Sequence, residues 1–142
     1  MDSEKSLEQA RYVQMVIDFV SKRGGVTFVE LQSLLESSME VKGDLVIYVP
    51  GYENIILWAG ISQEFFQVVT LALNSHQIMM RPTQLLVYLV DGGALNMPIA
   101  KSARHYQTPH WLPVSFSKWV DEPLPKKRRK PEAPNLSHFL LY

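Results

Sequence analysis

The run Asn54-Ile55-Ile56-Leu57-Trp58, followed by Gly60-Ile61-Ser62 and then Gln63-Glu64-Phe65-Phe66, changes its hydrophobic period partway along. Before the glycine it is continuously apolar and rich in β-formers. After Ser62, residues Phe65, Val68, Val69 and Ala72 fall on one helical stripe. Ser62 is placed to cap that helix, and Glu64 in its first turn suits the positive end of the helix dipole. The stretch therefore reads as a strand leading directly into an amphipathic helix. Upstream, Leu45-Val46-Ile47-Tyr48-Val49 is parted from Asn54 by Pro50-Gly51-Tyr52-Glu53, the composition of a turn, so the two runs read as a hairpin.

Toward the N-terminus, Val13, Val16, Ile17 and Val20 form a helical stripe within Leu7 to Arg23, with Leu7 and Ala10 leading into it. Gly24-Gly25 ends that helix. Thr27 and Glu30 then have the spacing of a capping box, with Val26 and Leu31 as its hydrophobic staple. Leu31, Leu34 and Leu35 give the second helix its apolar face, and Ser37-Ser38 or Gly43-Asp44 marks its end. Toward the C-terminus, Arg81-Pro82 argues against prolonging the third helix. Leu85 to Val90 and Leu95 to Ala100 flank Asp91-Gly92-Gly93 and predict a second hairpin, with Pro98 confining the returning strand to an edge or itself to the strand's unpaired side. The alternative is a helix from Thr83 to Val90 begun by Pro82. Trp111 to Phe116 reads as a last strand or extended segment.

Past Trp119 the composition shifts to four prolines around Lys126-Lys127-Arg128-Arg129-Lys130. The expectation is one α+β domain over residues 1–120, then a disordered basic tail over 121–142 whose end, Leu136 to Tyr142, is apolar enough to dock on something. The chain has 142 residues and fourteen basic against fourteen acidic side chains, but residues 1–60 carry five basic and nine acidic residues and residues 61–142 the reverse. Five of the latter nine basic residues are the tail run, so attraction to a polyanion is expected to be local. The absence of cysteine excludes disulfides, thiolate zinc sites and a cysteine nucleophile. No apolar run reaches the ~18–20 residues of a membrane span and the first residues lack a signal-peptide pattern, so a cytoplasmic location is expected, or nuclear in a eukaryote, with no membrane partner.

Helix, short turn, helix, strands, helix and a Gly-tipped hairpin is the order of a winged helix, here with three helices and two small hairpins. The chain resembles winged-helix domains in general. More narrowly, Asn54 to Leu73 together with Leu85 to Ala100 resembles the C-terminal winged-helix module of relaxase and helicase proteins of integrating conjugative elements. There too an apolar strand runs into an aromatic-bearing helix, as Ile55-Ile56-Leu57-Trp58 runs into Glu64-Phe65-Phe66. The match covers about residues 10–117 and departs where the module has Ser-Pro and this chain has Gly60-Ile61-Ser62. The resemblance implies an accessory, DNA-associated role in a mobile element, as in conjugation, and transfers no catalytic residue.

On the third helix Gln63, Gln67, Thr70 and Asn74 share the face opposite the apolar stripe. Gln and Asn pair bidentately with adenine and Thr meets the thymine methyl, so this face is the candidate base reader, a solvated polar face being the plain alternative. Arg81, Lys101, Arg104, His105 and His110 bracket the expected wing as candidate phosphate contacts, and Lys126, Lys127, Arg128, Arg129 and Lys130 add sequence-independent attraction. The basic run also fits a solubilising tail or a nuclear-localisation signal. No HExxH, Gly-x-Ser-x-Gly, phosphate-binding loop or acidic metal cluster is present, so no enzyme activity, cofactor or metal is expected. The reading is a non-enzymatic DNA-binding module for duplex in preference to single-stranded DNA. The alternative is a protein-interaction or homodimerisation module using Tyr52, Trp58, Phe66, Tyr88, Trp111 and Trp119 as exposed anchors.

Overall fold

The computed structural model describes residues 2–121. Helix α1 spans Asp2–Arg23, and its stripe of Tyr12, Val16, Ile17 and Val20 is buried while Leu7 is exposed. Lys22 and Arg23 occupy its last turn, where the negative end of the dipole favours cations. A short turn leads to α2, Phe28–Leu35, which opens with the complete capping box. The Glu30 amide donates to Thr27 Oγ1 at 3.2 Å and the Thr27 amide donates to Glu30 Oε1 at 3.3 Å. Glu30 also holds Arg23 at 2.8 Å, tying the end of α1 to the start of α2.

Strands β1, Lys42–Val49, and β2, Tyr52–Ile61, form the hairpin around Pro50-Gly51. Gly43 is needed there because a Cβ would lie 2.7 Å from the Ile61 carbonyl oxygen. The four consecutive residues Ile55 to Trp58 are all buried, which is why the sequence shows an unbroken apolar run and not an alternation. Helix α3, Gln63–Asn74, follows at once. Ser62 caps it, its Oγ accepting from the Phe65 amide at 3.0 Å and donating to the Glu40 carbonyl at 2.7 Å.

After α3 the chain forms β3, Ile78–Pro82, then α4, Leu85–Asp91, then β4, His110–Trp111, and β5, Val114–Lys118. Strand β4 pairs in parallel with β2, giving the order β1-β2-β4. Strand β5 pairs antiparallel with β3, and on its other side Val26 exchanges both backbone hydrogen bonds with Phe116 at 2.9 and 2.7 Å. The second layer is thus Val26, β5 and β3 in that order, with α1 packed on both β5 and α3. Pro113 separates β4 from β5, and its carbonyl accepts from the Thr83 amide at 2.8 Å. Phe28, Trp58, Tyr88, Trp111 and Phe116 meet in one buried aromatic cluster, with Phe28 edge-on to Phe116 at 5.0 Å and Tyr88 edge-on to Trp111 at 5.0 Å.

The expected second hairpin is not formed, and among the described residues there are four helices where three were expected. Leu85 to Val90 is helical, and Gly92 caps its C-terminus in the left-handed conformation at φ 89°, its amide donating to the Leu89 carbonyl while Gly93 donates to Tyr88. Asp-Gly-Gly serves a tight hairpin and a left-handed helix cap equally well, and a short apolar run has no period that separates strand from helix. Leu95 to Ala100 is irregular. Ile99 alone bridges Trp111, with the Pro98 carbonyl accepting from the Trp111 amide at 2.7 Å and the Ala100 amide donating to the Trp111 carbonyl at 2.8 Å. The basic run and the apolar end of the tail lie outside the described residues.

Candidate nucleic-acid interface

The polar face of α3 divides in two. Gln63 and Gln67 are exposed, whereas Thr70 and Asn74 are half-buried. Gln67 Oε1 accepts from Gln9 Nε2 of α1 at 3.3 Å, and Gln63 and Gln67 border a cleft of about 530 Å³ between α1 and α3 that also holds Lys5, Glu8 and Glu64. Thr70 Oγ1 and Asn74 Oδ1 are buried without a hydrogen-bond partner. Leu71, 43% exposed, lies among these polar residues. Two carboxylates and one ammonium make this end of α3 a weak attractor of phosphate.

The connection between β3 and β5 gathers most of the other candidates. Lys101, Arg104 and His110 line one open cleft of about 590 Å³ with Ser102 and Tyr106, and no acidic residue lines it. Tyr106 organises the loop around it. Its hydroxyl accepts from the Lys101 amide at 2.9 Å and the Ser102 amide at 3.2 Å, and Asn54 Nδ2 donates to its carbonyl at 2.8 Å. The Tyr106 ring stacks on His110 at 3.8 Å, and the Arg104 guanidinium sits 4.7 Å from its centroid. His110 Nδ1 lies 2.8 Å from the Thr108 carbonyl, which can only accept, so that nitrogen carries a proton. Slight desolvation raises the Tyr106 phenol, but the Lys101 and Ser102 amides and then Arg104 outweigh it and leave the phenol below its ordinary value. His105 stacks on Tyr52 at 5.0 Å beside this cluster.

Lys101, Arg104, His105 and His110 therefore form a group, with Arg81 outside it. Arg81 lies on β3 opposite Ser115, with a terminal guanidinium nitrogen 3.9 Å from Met79 Sδ. Tyr52 and Ile61 stand at opposite ends of β2, so the cationic cleft and the start of α3 are separated by roughly 30 Å at the usual rise per residue. Lys126, Lys127, Arg128, Arg129 and Lys130 lie outside the described residues. Sequence reasoning missed Tyr52, Asn54, Ser102 and Tyr106 as parts of this site. The available signal was the interleaving of basic and aromatic residues between Lys101 and His110.

The two histidines of that loop stack on different tyrosines, and among the described residues no group of three His, Cys, Asp or Glu could hold a metal ion. Nor is any described helix long and apolar enough to cross a membrane. Of the six aromatics considered as exposed anchors, Trp58, Tyr88 and Trp111 are buried, and Tyr52, Phe66 and Trp119 are half-buried. No protein-family model, curated protein or solved structure matches this chain.

Proposed function

We propose that the chain is a winged-helix, DNA-associated module without catalytic activity, and that residues 83–113 act as its wing. The observation that carries this reading is the three-membered sheet of Val26, β5 and β3 behind three helices. In that order α1, Val26 and α2 come first, α3 stands in the recognition-helix position, and the long connection between the paired strands β3 and β5 is the wing. The hairpin β1–β2 is then an addition between the second and third helices. The acid-free cleft of Lys101, Arg104 and His110 on this wing supports phosphate binding there, with α3 offering Gln63 and Gln67 to base edges. The role in a conjugative or other mobile element rests on the resemblance of Asn54 to Leu73, since the Leu85 to Ala100 hairpin that completed it is not formed.

The test is fluorescence anisotropy of labelled duplex and single-stranded DNA with the full chain across a salt series. It compares the natural sequence with Lys101→Ala/Arg104→Ala and with a chain whose five tail cations, Lys126 to Lys130, are all alanine. Binding of duplex that survives the tail change and falls with the wing change supports the reading, and the salt slope should drop by about 0.9 for each phosphate that is no longer neutralised. Binding abolished by the tail change alone, or absent throughout, overturns it.

A further inference from the structure

Helix α4 turns an entirely apolar face to solvent. Leu85, Leu86, Leu89 and Val90 are 38%, 63%, 55% and 76% exposed and fall on one side of the helix, while Tyr88 on the other side is fully buried. Beside Leu86 and Val90 lies an open groove of about 490 Å³, bordered by Arg23, Glu30 and Asp91. A contiguous apolar face of this kind on a short surface helix calls for a covering partner.

We propose that this partner is the chain's own C-terminal segment, Leu136 to Tyr142, seated on α4 through Leu136, Phe139, Leu140 and Leu141. This inference is independent of the DNA-binding reading. Three properties select that occupant. The first is reach. The Trp119 amide donates to the Gln77 carbonyl at 2.9 Å, so the segment departs beside the start of β3, and α4 begins three residues after the end of that strand. A separation of about 25 Å follows from strand and chain dimensions. The spacer Glu122 to Asn135 has a root-mean-square span of about 20 Å as a flexible chain and about 43 Å as an extended proline-rich one, which brackets the distance.

The second property is charge. Residues 2–121 hold nine basic and twelve acidic side chains, and residues 122–142 hold five and two, so segment and body attract one another. The basic run falls within the spacer, and Asp91 borders the groove it would pass, where Arg23 and Glu30 pair with each other. The third property is tethering. A seven-residue apolar association is weak between separate molecules, but a covalent tether of this length raises the local concentration of the segment to about the millimolar range, above that of any dilute competitor.

The test is hydrogen–deuterium exchange on the full chain, reading the amides of 85–91 and of 136–142, with light scattering to give the molecular mass. Phe139→Asp/Leu140→Asp lies outside the described residues and should leave the circular dichroism of the chain unchanged. It should raise exchange of the 85–91 amides by about fivefold, the protection removed when a docked state populated at about 80% is abolished. Leu86→Asp/Val90→Asp should raise exchange of 136–142 reciprocally. If the α4 substitutions unfold the chain by circular dichroism, the segment variant alone decides. Unchanged exchange of 85–91 in the segment variant overturns the proposal, as does protection that depends on concentration in step with a doubled mass, which would make a second copy the occupant.

Discussion

The Tyr88 hydroxyl donates to the Val114 carbonyl at 2.7 Å and accepts from the Phe28 amide at 3.2 Å, joining α4, β5 and the first turn of α2 through one fully buried oxygen. The bond closes the long connection 83–113 at its base, where β5 begins. Tyr88→Phe keeps the ring packing against Trp58 and Trp111 but leaves a buried carbonyl and a buried amide unpaired. The expected loss is about 1–3 kcal/mol. Thermal unfolding should show it as a fall in Tm of about 3–5 °C per kcal/mol for a chain of this size.

The same residue makes stability fall with pH in alkali. Burial is the main cause that pushes the Tyr88 phenol far above the ordinary value of 10.0, and the nearby Asp91 and Glu30 carboxylates add to it. The folded-state value is raised, so the stabilisation is complete below pH 10 and is lost as pH rises, when the unfolded chain ionises and the folded chain does not. That loss has a limiting slope of about 1.4 kcal/mol per pH unit. Denaturant midpoints measured from pH 8 to 11 should fall above pH 10, and Tyr88→Phe should flatten the fall. Tyr106, whose phenol is lowered, acts in the opposite sense, so Tyr106→Phe should steepen it.

Thr27 is a fully buried polar residue, and its Oγ1 serves two partners. It accepts from the Glu30 amide at the start of α2 and donates to Asp91 Oδ2 at 2.7 Å at the end of α4. Thr27→Ala removes both bonds, with an expected cost of about 1–2 kcal/mol from the cap alone. Thr27→Ser keeps the hydroxyl and should restore most of it, which urea denaturation of the two variants measures directly. Equal losses in Ser and Ala would assign the effect to the Thr27 methyl and not to the capping bonds.

These bonds also show what the sequence made legible. Thr27 with Glu30 and Ser62 with Glu64 are local signals, complete within four residues, and both helices start where those residues predict. The β1–β2 hairpin was legible because Pro50-Gly51 leaves a single way to join two β-rich runs. The helix α4 was legible only as the alternative from Thr83 to Val90, because its cap at Gly92 and its outward Leu86, Leu89 and Val90 look the same as a hairpin strand until the Tyr88 hydroxyl finds Val114, a partner 26 residues away. The cationic cleft was half legible. Lys101, Arg104 and His110 are near in sequence, but the Asn54 and Tyr52 that brace their loop come from β2, and only tertiary pairing of β2 with β4 brings them there. The uniform polarity of the α3 face was overstated for a similar reason, since Gln9 on α1 and the burial of Thr70 and Asn74 are long-range effects.

Thr70 and Gln67 give a test that separates stability from binding on α3. Its Oγ1 is buried with no partner, and Thr70→Val replaces that hydroxyl by a methyl group of nearly the same size. Stability should hold or rise by up to about 1 kcal/mol, since a buried unpaired group is removed and apolar packing replaces it. Gln67→Ala, by contrast, loses only the exposed 3.3 Å bond to Gln9 and should leave Tm nearly unchanged. If α3 reads base edges, Gln67→Ala weakens binding to a preferred duplex more than to random duplex, whereas Thr70→Val, which removes a buried hydroxyl and keeps the methyl, leaves binding unchanged while the protein becomes no less stable. If the wing alone holds DNA, both variants bind every duplex as the natural chain does. Lys101→Ala/Arg104→Ala then lowers affinity equally for all sequences, because phosphate contacts fix register and carry no sequence information. Anisotropy titrations on two duplexes, run beside thermal melts of the same four proteins, separate the two cases.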